Sequence, residues 1–295
     1  MARVPYDEFS MLHENAAEFS LPFETAPAVE RVTHTLGDGR VLSGLRWGTT
    51  PPEIVLLHGG AQNAHTWDTV CLAMGRSVLA LDLPGHGHSD GGAGDPVSNA
   101  IDLGPAIDAL APTAQTLVGM SLGGLTAMTL AARDKGRFAR LALIDITPGV
   151  NQEKAGHITA FVNGPATFES FEDLLARTIE HNPTRSESSL RRGILHNAVQ
   201  LDDGTWQWRY ARHRNPMAPR PLEHGSRWDD LESLTIPVLL VRGMARGSVV
   251  DDEDEARFLE VTAHGSVVRF EHAGHSVQGD SPVELAALLT QFAES

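Results

Sequence analysis

The chain has 295 residues, of which 41% are apolar and 21% charged, so it has the composition of a folded globular protein rather than a disordered one. Its formal net charge of −15 disfavours nucleic acid and anionic membranes as partners and favours a small neutral substrate. The single cysteine, Cys71, excludes an intramolecular disulfide and a thiolate metal cluster, and it suits a reducing compartment.

The first twenty residues carry scattered acidic side chains and lack a basic start followed by an apolar run, so we expect no export signal. No apolar run approaches the roughly 20 residues that a membrane-spanning helix needs. We therefore expect a cytoplasmic protein without a membrane partner.

Short apolar runs alternate with helical segments along most of the chain. Residues 30–36 and 40–47 flank the turn Gly37-Asp38-Gly39 and predict an antiparallel hairpin at the sheet edge. Six further runs are apolar enough to be buried on both faces, which predicts parallel strands at residues 53–57, 77–82, 115–118, 141–144, 237–241 and 266–270. Helical spacing follows, for example at residues 122–133 and 283–292. This order predicts an α/β fold with a mostly parallel sheet flanked by helices.

The alternation of strand and helix is interrupted between residues 148 and 230. No buried-strand run occurs there, and apolar side chains recur with a helical period at Phe168, Phe171, Leu174, Leu175 and Ile179. We interpret residues 148–230 as an inserted, mainly helical cap, and residues 1–147 together with 231–295 as the core domain. Ligands bind beyond the carboxyl ends of the strands in open α/β sheets, so the loops at that edge hold the candidate site.

The segment Gly119-Met120-Ser121-Leu122-Gly123 stands directly between a predicted strand and a predicted helix. This is the position of a G-x-S-x-G nucleophile elbow, in which glycines relieve the close approach of backbones around a strained, exposed serine. A serine that only caps the helix is the structural alternative. The context of the other loops favours Ser121 as a nucleophile.

Two further loops supply what a serine nucleophile needs. The strand at 53–57 ends in His58-Gly59-Gly60, so the backbone N–H of Gly60, together with that of Leu122, can bind an oxyanion, while His58 is expected to brace the loop. Ala273-Gly274-His275-Ser276 follows the last predicted strand and places an imidazole above the sheet. We predict His275 as the general base.

Two aspartates are candidates for the acid that orients His275. Asp145 ends the strand at 141–144, between two isoleucines, where an ionised carboxylate requires a partner. Asp251 comes later, within an acidic run that is typical of the first turn of a helix. We favour Asp145 and keep Asp251 as the alternative.

The segment Pro84-Gly85-His86-Gly87-His88-Ser89-Asp90 contains a His-x-His-x-Asp pattern that can present ligands to zinc. The fuller metallohydrolase pattern requires another histidine next, and Gly91 occupies that place. We interpret the segment as a glycine-rich loop ordered by Asp82, and we expect no metal.

Together these motifs resemble those of the actinobacterial serine esterases of the α/β-hydrolase superfamily. The matching segments are 58–60 through 65–68, 82–89, 118–124 and 274–277, and in the cap 189–193 and 206–210. The resemblance implies a hydrolase fold with a helical cap, no cofactor, and hydrolysis of small carboxylic esters with short to medium acyl chains. It also supports Asp145 as the acid, although the common superfamily pattern has an aspartate where this chain has Arg246-Gly247-Ser248.

Several alternatives stay open within this resemblance. Lactone, thioester and carbon–carbon bond hydrolases use the same triad, and a small-molecule receptor with residual hydrolysis has the same fold. In the cap, Trp206, Trp208 and Tyr210 alternate as on a strand and are candidates for contacts with substrate, although packing against cap helices explains them as well. The expected partner is a small acyl ester, and the expected oligomeric state is a monomer or a homodimer.

Overall fold

A large, mostly parallel sheet lies at the centre of the fold. The computed structural model describes residues 4–150, 153–182, 185–210 and 227–295. Its sheet strands are β1 (Val29–Thr35), β2 (Val41–Trp47), β3 (Ile54–Leu57), β4 (Val78–Leu81), β5 (Thr116–Met120), β6 (Arg140–Ile144), β10 (Val238–Gly243) and β11 (Gly265–Phe270). They are arranged in the order β1-β2-β4-β3-β5-β6-β10-β11. All eight predicted strands are present.

The pairing of the strands follows their hydrophobicity. From β4 to β11 every neighbouring pair is parallel, and β3, β4 and β5 are buried along their whole length. The hairpin β1–β2 is antiparallel, as is the pairing of β2 with β4. Only β1 of this hairpin lies at the sheet edge, with β2 one position inside. The mostly parallel α/β architecture is therefore confirmed.

Helices cover both faces of the sheet. In chain order they are α1 (Leu12–Glu18), α2 (Asp68–Met74), α3 (Pro96–Leu110), α4 (Leu122–Arg133), α5 (Gly156–Val162), α6 (Phe171–His181), α7 (Glu187–Asn197), α8 (Trp228–Glu232), α9 (Asp252–Val261), α10 (Val277–Asp280) and α11 (Pro282–Glu294). Alternate strand residues point to opposite faces. One apolar cluster joins the sheet to α3, α4, α8 and α9, and the other joins it to α1, α2 and α11.

The segment predicted as a cap contains α5, α6 and α7. It also contains a small antiparallel sheet of β7 (Thr167–Phe168), β8 (Ala198–Gln200) and β9 (Trp206–Trp208), in the order β7-β9-β8. The helical period assigned to Phe168 was wrong: Phe168 pairs with Trp206 on β9, and α6 begins at Phe171. The predicted border after residue 230 falls inside α8, whose Trp228 and Leu231 pack in the core.

A buried polar network joins the N-terminal segment, the core and the cap. The His65 ring bonds through Nδ1 to Asp68 (2.9 Å) and through Nε2 to Glu8 (3.0 Å). His196 of α7 stacks on this ring with centroids 3.7 Å apart, and its Nδ1 lies 2.9 Å from the Tyr6 hydroxyl. Burial lowers the pKa of His65, but the two carboxylates outweigh it and raise the pKa to about 9. His65 is therefore a cation held between two carboxylates.

This network predicts a decline in stability at alkaline pH. Because the folded-state pKa of His65 lies above the usual 6.5, its ionic stabilisation is complete below pH 6.5 and is lost as the pH rises through about 9. We expect the free energy of unfolding to fall by on the order of 3 kcal/mol across this range. Urea denaturation at a series of pH values measures it.

The matched variants are His65→Gln and His264→Gln, the second on an exposed side chain before β11. We expect the slope of unfolding free energy against pH to flatten in His65→Gln and to stay at the wild-type value in His264→Gln. An equally steep slope in His65→Gln would contradict this account of the network.

Candidate active site

Ser121 lies in a sharp turn between β5 and α4. Its backbone has φ +51° and ψ −120°, a conformation that costs a residue with a side chain about 1–3 kcal/mol. A Cβ on Gly119 would lie 2.3 Å from the carbonyl oxygen of Gly123, and a Cβ on Gly123 would lie 2.4 Å from that of His58. The glycines on both sides of Ser121 are therefore sterically required, and the turn has the geometry of a nucleophile elbow.

Asp145 and His275 are brought together by the ends of β6 and β11. The Nδ1 atom of His275 lies 2.9 Å from Oδ2 of Asp145, although 130 residues separate them in the chain. Asp145 is fully buried and, like Ser121, has a positive φ, of +46°. The imidazole therefore has one nitrogen bound by a buried carboxylate, which leaves Nε2 for a proton transfer.

Three more donors hold the Asp145 carboxylate. Oδ1 accepts from the backbone N–H of Gly243 (3.0 Å) and from the hydroxyl of Ser248 (2.6 Å), and Oδ2 accepts from the backbone N–H of Val249 (3.0 Å). Ser248 stands in the loop where the superfamily commonly has an aspartate. This role of Ser248 could not be predicted from the sequence, because a serine in a glycine-containing loop carries no distinguishing signal.

Asp251, the alternative acid, has a different role. It is the N-cap of α9, where its side chain accepts from the backbone N–H of Asp254 (2.9 Å) in a capping box. It also forms an ion pair with Lys154 at 2.7 Å. These partners give Asp251 a structural role at the start of α9.

The sheet register places Ser121 beside this pair. Met120 and Ile144 are partners on β5 and β6, so the next residues, Ser121 and Asp145, begin neighbouring loops at the same edge. No hydrogen bond joins the Ser121 hydroxyl to His275 within the described ranges. Catalytic hydrogen bonds are often long without substrate and tighten when it binds.

The backbone N–H groups of the loop after β3 differ in their partners. Gly59 N–H donates to the Gln62 side chain at 3.1 Å, and Ala61 N–H donates to His86 at 3.2 Å. Between them, the N–H of Gly60 has no acceptor among the residues that the structure describes. Leu122 is the first residue of α4, and the first N–H groups of a helix have no partner within it.

His58 braces this loop. Its Nδ1 donates to the carbonyl oxygen of Gly59 (2.7 Å) and its Nε2 accepts from the backbone N–H of Leu83 (2.9 Å). Burial lowers its pKa, so the ring is neutral, as these bonds require. Both nitrogens are engaged in joining the loops after β3 and β4.

The His-x-His-x-Asp segment is likewise part of the loop structure. His86 accepts from Ala61 and bonds to the carbonyl oxygen of Pro84 at 3.2 Å, and Asp90 accepts from the backbone N–H of Val41 at 2.7 Å. Asp82 accepts from the backbone N–H of His88 at 3.0 Å, as expected of the residue that orders this loop. With its ring nitrogens engaged, His86 offers no lone pair to an ion here.

A cavity of about 180 Å³ lies between the cap and the loops of the core. Its walls include Gln62 from the loop after β3, Ser276 beside the candidate base, and Trp208 from the cap. Trp206 packs edge to face on Phe171 with ring centroids 5.1 Å apart. Of the three aromatic residues singled out in the cap, Trp208 lines this cavity, while Trp206 and Tyr210 do not and are buried among other cap residues.

Comparison with known proteins identifies the family of the chain. The family model described as the alpha/beta hydrolase family matches residues 54–288. Esterase Rv0045c of Mycobacterium tuberculosis is 41% identical, with 96% of this chain and 94% of that protein covered. The crystal structure of that esterase superposes with a TM-score of 0.87 over all of both chains. The sn-1-specific diacylglycerol lipase ABHD11 of Xenopus laevis is 29% identical over 92% of this chain and 86% of its own.

The family match covers six of the eight strands of the central sheet and the loops that carry Ser121, Asp145 and His275. The similarity to the mycobacterial esterase extends over nearly the whole chain, including the segment predicted as a cap. The chain therefore belongs to the alpha/beta hydrolase family, as its motifs led us to expect.

Proposed function

We propose that this protein is a serine esterase with Ser121 as nucleophile, His275 as general base and Asp145 as the acid that orients it. One observation carries the proposal: the hydrogen bond of 2.9 Å between His275 and the buried Asp145, formed beside the strained turn of Ser121. A carboxylate, an imidazole and a serine elbow at the same edge of one sheet are the parts that acyl transfer needs.

The proposed mechanism follows from the hydrogen bonds of the site, because they determine which nitrogen of His275 can accept a proton. Because Nδ1 of His275 donates to Asp145, Nε2 is the basic nitrogen and accepts the proton of the Ser121 hydroxyl as the oxygen attacks the ester carbonyl. The N–H groups of Gly60 and Leu122 bind the oxyanion that forms. His275 then gives the proton to the leaving alcohol, and an acyl-enzyme results.

Water completes the cycle. His275 takes a proton from the water as it attacks the acyl-enzyme, and returns that proton to Ser121 as the carboxylic acid leaves. Asp145 stabilises the imidazolium in both halves of the reaction. Four donors, counting His275, fix the Asp145 carboxylate, which favours one orientation of the ring throughout the cycle.

The proposed substrates are small carboxylic esters with short to medium acyl chains. A cavity of about 180 Å³ supports this size, and its wall of Trp208 supplies apolar contact for an acyl chain. Two of the relatives are named as an esterase and a diacylglycerol lipase, and both names are those of ester hydrolases.

We also propose that the protein is located in the cytoplasm. Cys71 is a free, buried cysteine, which suits a reducing environment. No helix within the described residues is long and apolar enough to cross a membrane. The oligomeric state, a monomer or a homodimer, stays a prediction.

Replacing the nucleophile tests the mechanism. We expect Ser121→Ala to lower kcat/KM for simple esters by about ten-thousandfold or more, because no other group can form the acyl-enzyme. A series of esters of increasing acyl length, run on the wild type, should show kcat/KM falling once the chain outgrows the cavity.

The thermal unfolding midpoint of Ser121→Ala serves as the folding control. Labelling with a fluorophosphonate should be lost in this variant, and multiple turnover by the wild type distinguishes an enzyme from a slowly hydrolysing receptor. Wild-type rates in Ser121→Ala, or turnover of a vinylogous diketone in preference to every ester, would contradict the proposed esterase.

A pair of variants tests the acid. Asp145→Asn keeps the shape of the side chain but removes the charge that stabilises the imidazolium, so we expect kcat to fall about a thousandfold or more. Asp251→Asn, which weakens only a helix cap and an ion pair, should change kcat by less than about threefold. Steady-state kinetics on one ester measures both. A collapse of kcat in Asp251→Asn alone would assign the acid to Asp251.

A further inference from the structure

Arg185 differs from several other buried and half-buried arginines because it has no carboxylate partner among the described residues. It stands just before α7, and its guanidinium donates to the hydroxyl of Ser189 at 2.6 Å. Within the described ranges no carboxylate lies within 4.0 Å of it. By contrast, Arg31 pairs with Glu8 and Asp82, Arg192 with Glu14 and Glu18, and Arg242 with Asp252 and Glu255.

The nearest acidic groups are committed elsewhere. Asp280 accepts from the backbone N–H of Gly274 at 3.0 Å, and Glu18 pairs with Arg192. Burial lowers the pKa of Arg185, while the charges of Asp280 and Glu18 oppose this effect. An arginine stays protonated in proteins, so Arg185 is a half-buried cation without a direct counter-ion among the described residues.

Arg185 is in contact with the segment that carries the candidate base. A Cβ on Gly279, in α10, would lie 2.3 Å from Nη1 and 2.8 Å from Cζ of Arg185. The guanidinium therefore packs against the bare backbone of Gly279, four residues after His275. Arg185 and Gly279 both line the cavity between cap and core, together with Ser276.

The same cavity borders the loops of the candidate site. Gln62 lines it, and Gln62 Oε1 and Ser121 Cβ both lie 3.2 Å from the point that a Cβ on Gly59 would occupy. Ser276, which follows His275, lines the cavity as well, so the cavity borders the loops on two sides of the candidate site. Arg185 stands on its wall.

The charges around the cavity are all of one sign. No aspartate or glutamate lines it within the described ranges, whereas Arg185, Arg192 and the protonated His65 do. This is unexpected for a chain with a net charge of −15. His65 and Arg192 are each already paired with two carboxylates, so within the described lining Arg185 is the cation left to bind an anion.

We propose that Arg185 binds a carboxylate at the far end of the acyl chain, so that the preferred substrate is a monoester of a short dicarboxylic acid. This rests on the proposed esterase function and deepens it. A cavity of about 180 Å³ is small, which suits a short chain ending in a carboxylate. The fork of guanidinium N–H donors matches the two oxygens of that group.

Two esters of similar length test the proposal. Ethyl hydrogen glutarate carries the carboxylate, and ethyl hexanoate lacks it; acid release measured by titration gives kcat/KM for each. We expect the wild type to favour the glutarate ester. In Arg185→Gln the ratio of the two kcat/KM values should fall about 10- to 100-fold, mainly through KM for the glutarate ester.

Three further variants sharpen this measurement. Arg185→Lys keeps the charge and should restore part of the ratio. Gly279→Ala displaces the guanidinium and should lower the ratio. Arg191→Gln, on an exposed arginine of α7 that does not line the cavity, should leave it at the wild-type value. An equal proportional loss of both esters in Arg185→Gln, or no wild-type preference for the glutarate ester, would overturn the proposal.

Calorimetry keeps this test separate from that of the esterase function. Glutarate titrated into Ser121→Ala protein should bind, and the additional change Arg185→Gln should weaken that binding about 10-fold or more. Failure of glutarate to bind overturns the anion site even if neutral esters are hydrolysed. Glutarate binding without any ester turnover supports the anion site and contradicts the esterase.

Discussion

The hydrogen bond between Asp145 and His275 is the interaction on which the candidate site depends, and the fold provides for it at both ends. Asp145 follows β6 directly, and its backbone N–H donates to the carbonyl oxygen of Val241 on β10 at 2.7 Å. The carboxylate then accepts from Gly243, the last residue of β10, and from Ser248 in the loop after that strand. The orientation of the imidazole is therefore set by the pairing of β6 with β10, not by the loop of His275 alone.

Strain is concentrated at this same edge of the sheet. Ser121 and Asp145, two of the four described non-glycine residues with positive φ, end the adjacent strands β5 and β6. Each costs on the order of 1–3 kcal/mol, a cost that persists only where surrounding packing fixes the backbone. Here β5 and β6 are parallel partners, buried almost throughout. The rigid sheet offsets the cost and holds both side chains above it.

Features that depend on neighbouring residues in the chain could be predicted from the sequence, whereas bonds between residues far apart in the chain could not. The buried strands were predictable because burial on both faces requires continuous apolar runs such as Ile54–Leu57. Phe168 was assigned to a helix because a two-residue strand is too short to show a period. Ser121, Asp145 and His275 could be predicted as site residues because each follows a predicted strand. Ser248 was missed because its bond to Asp145 spans 103 residues and leaves no local pattern.

The net charge of the chain also gave an incomplete indication of the substrate. The net charge of −15 suggested a neutral substrate, yet that sum describes the whole chain, and no carboxylate is among the described residues that line the cavity. Surface charges are screened within about 10 Å at ordinary salt, whereas Arg185 acts at contact distance in an enclosed space. The overall field therefore slows the approach of an anion, while the cavity governs how tightly that anion is held once inside.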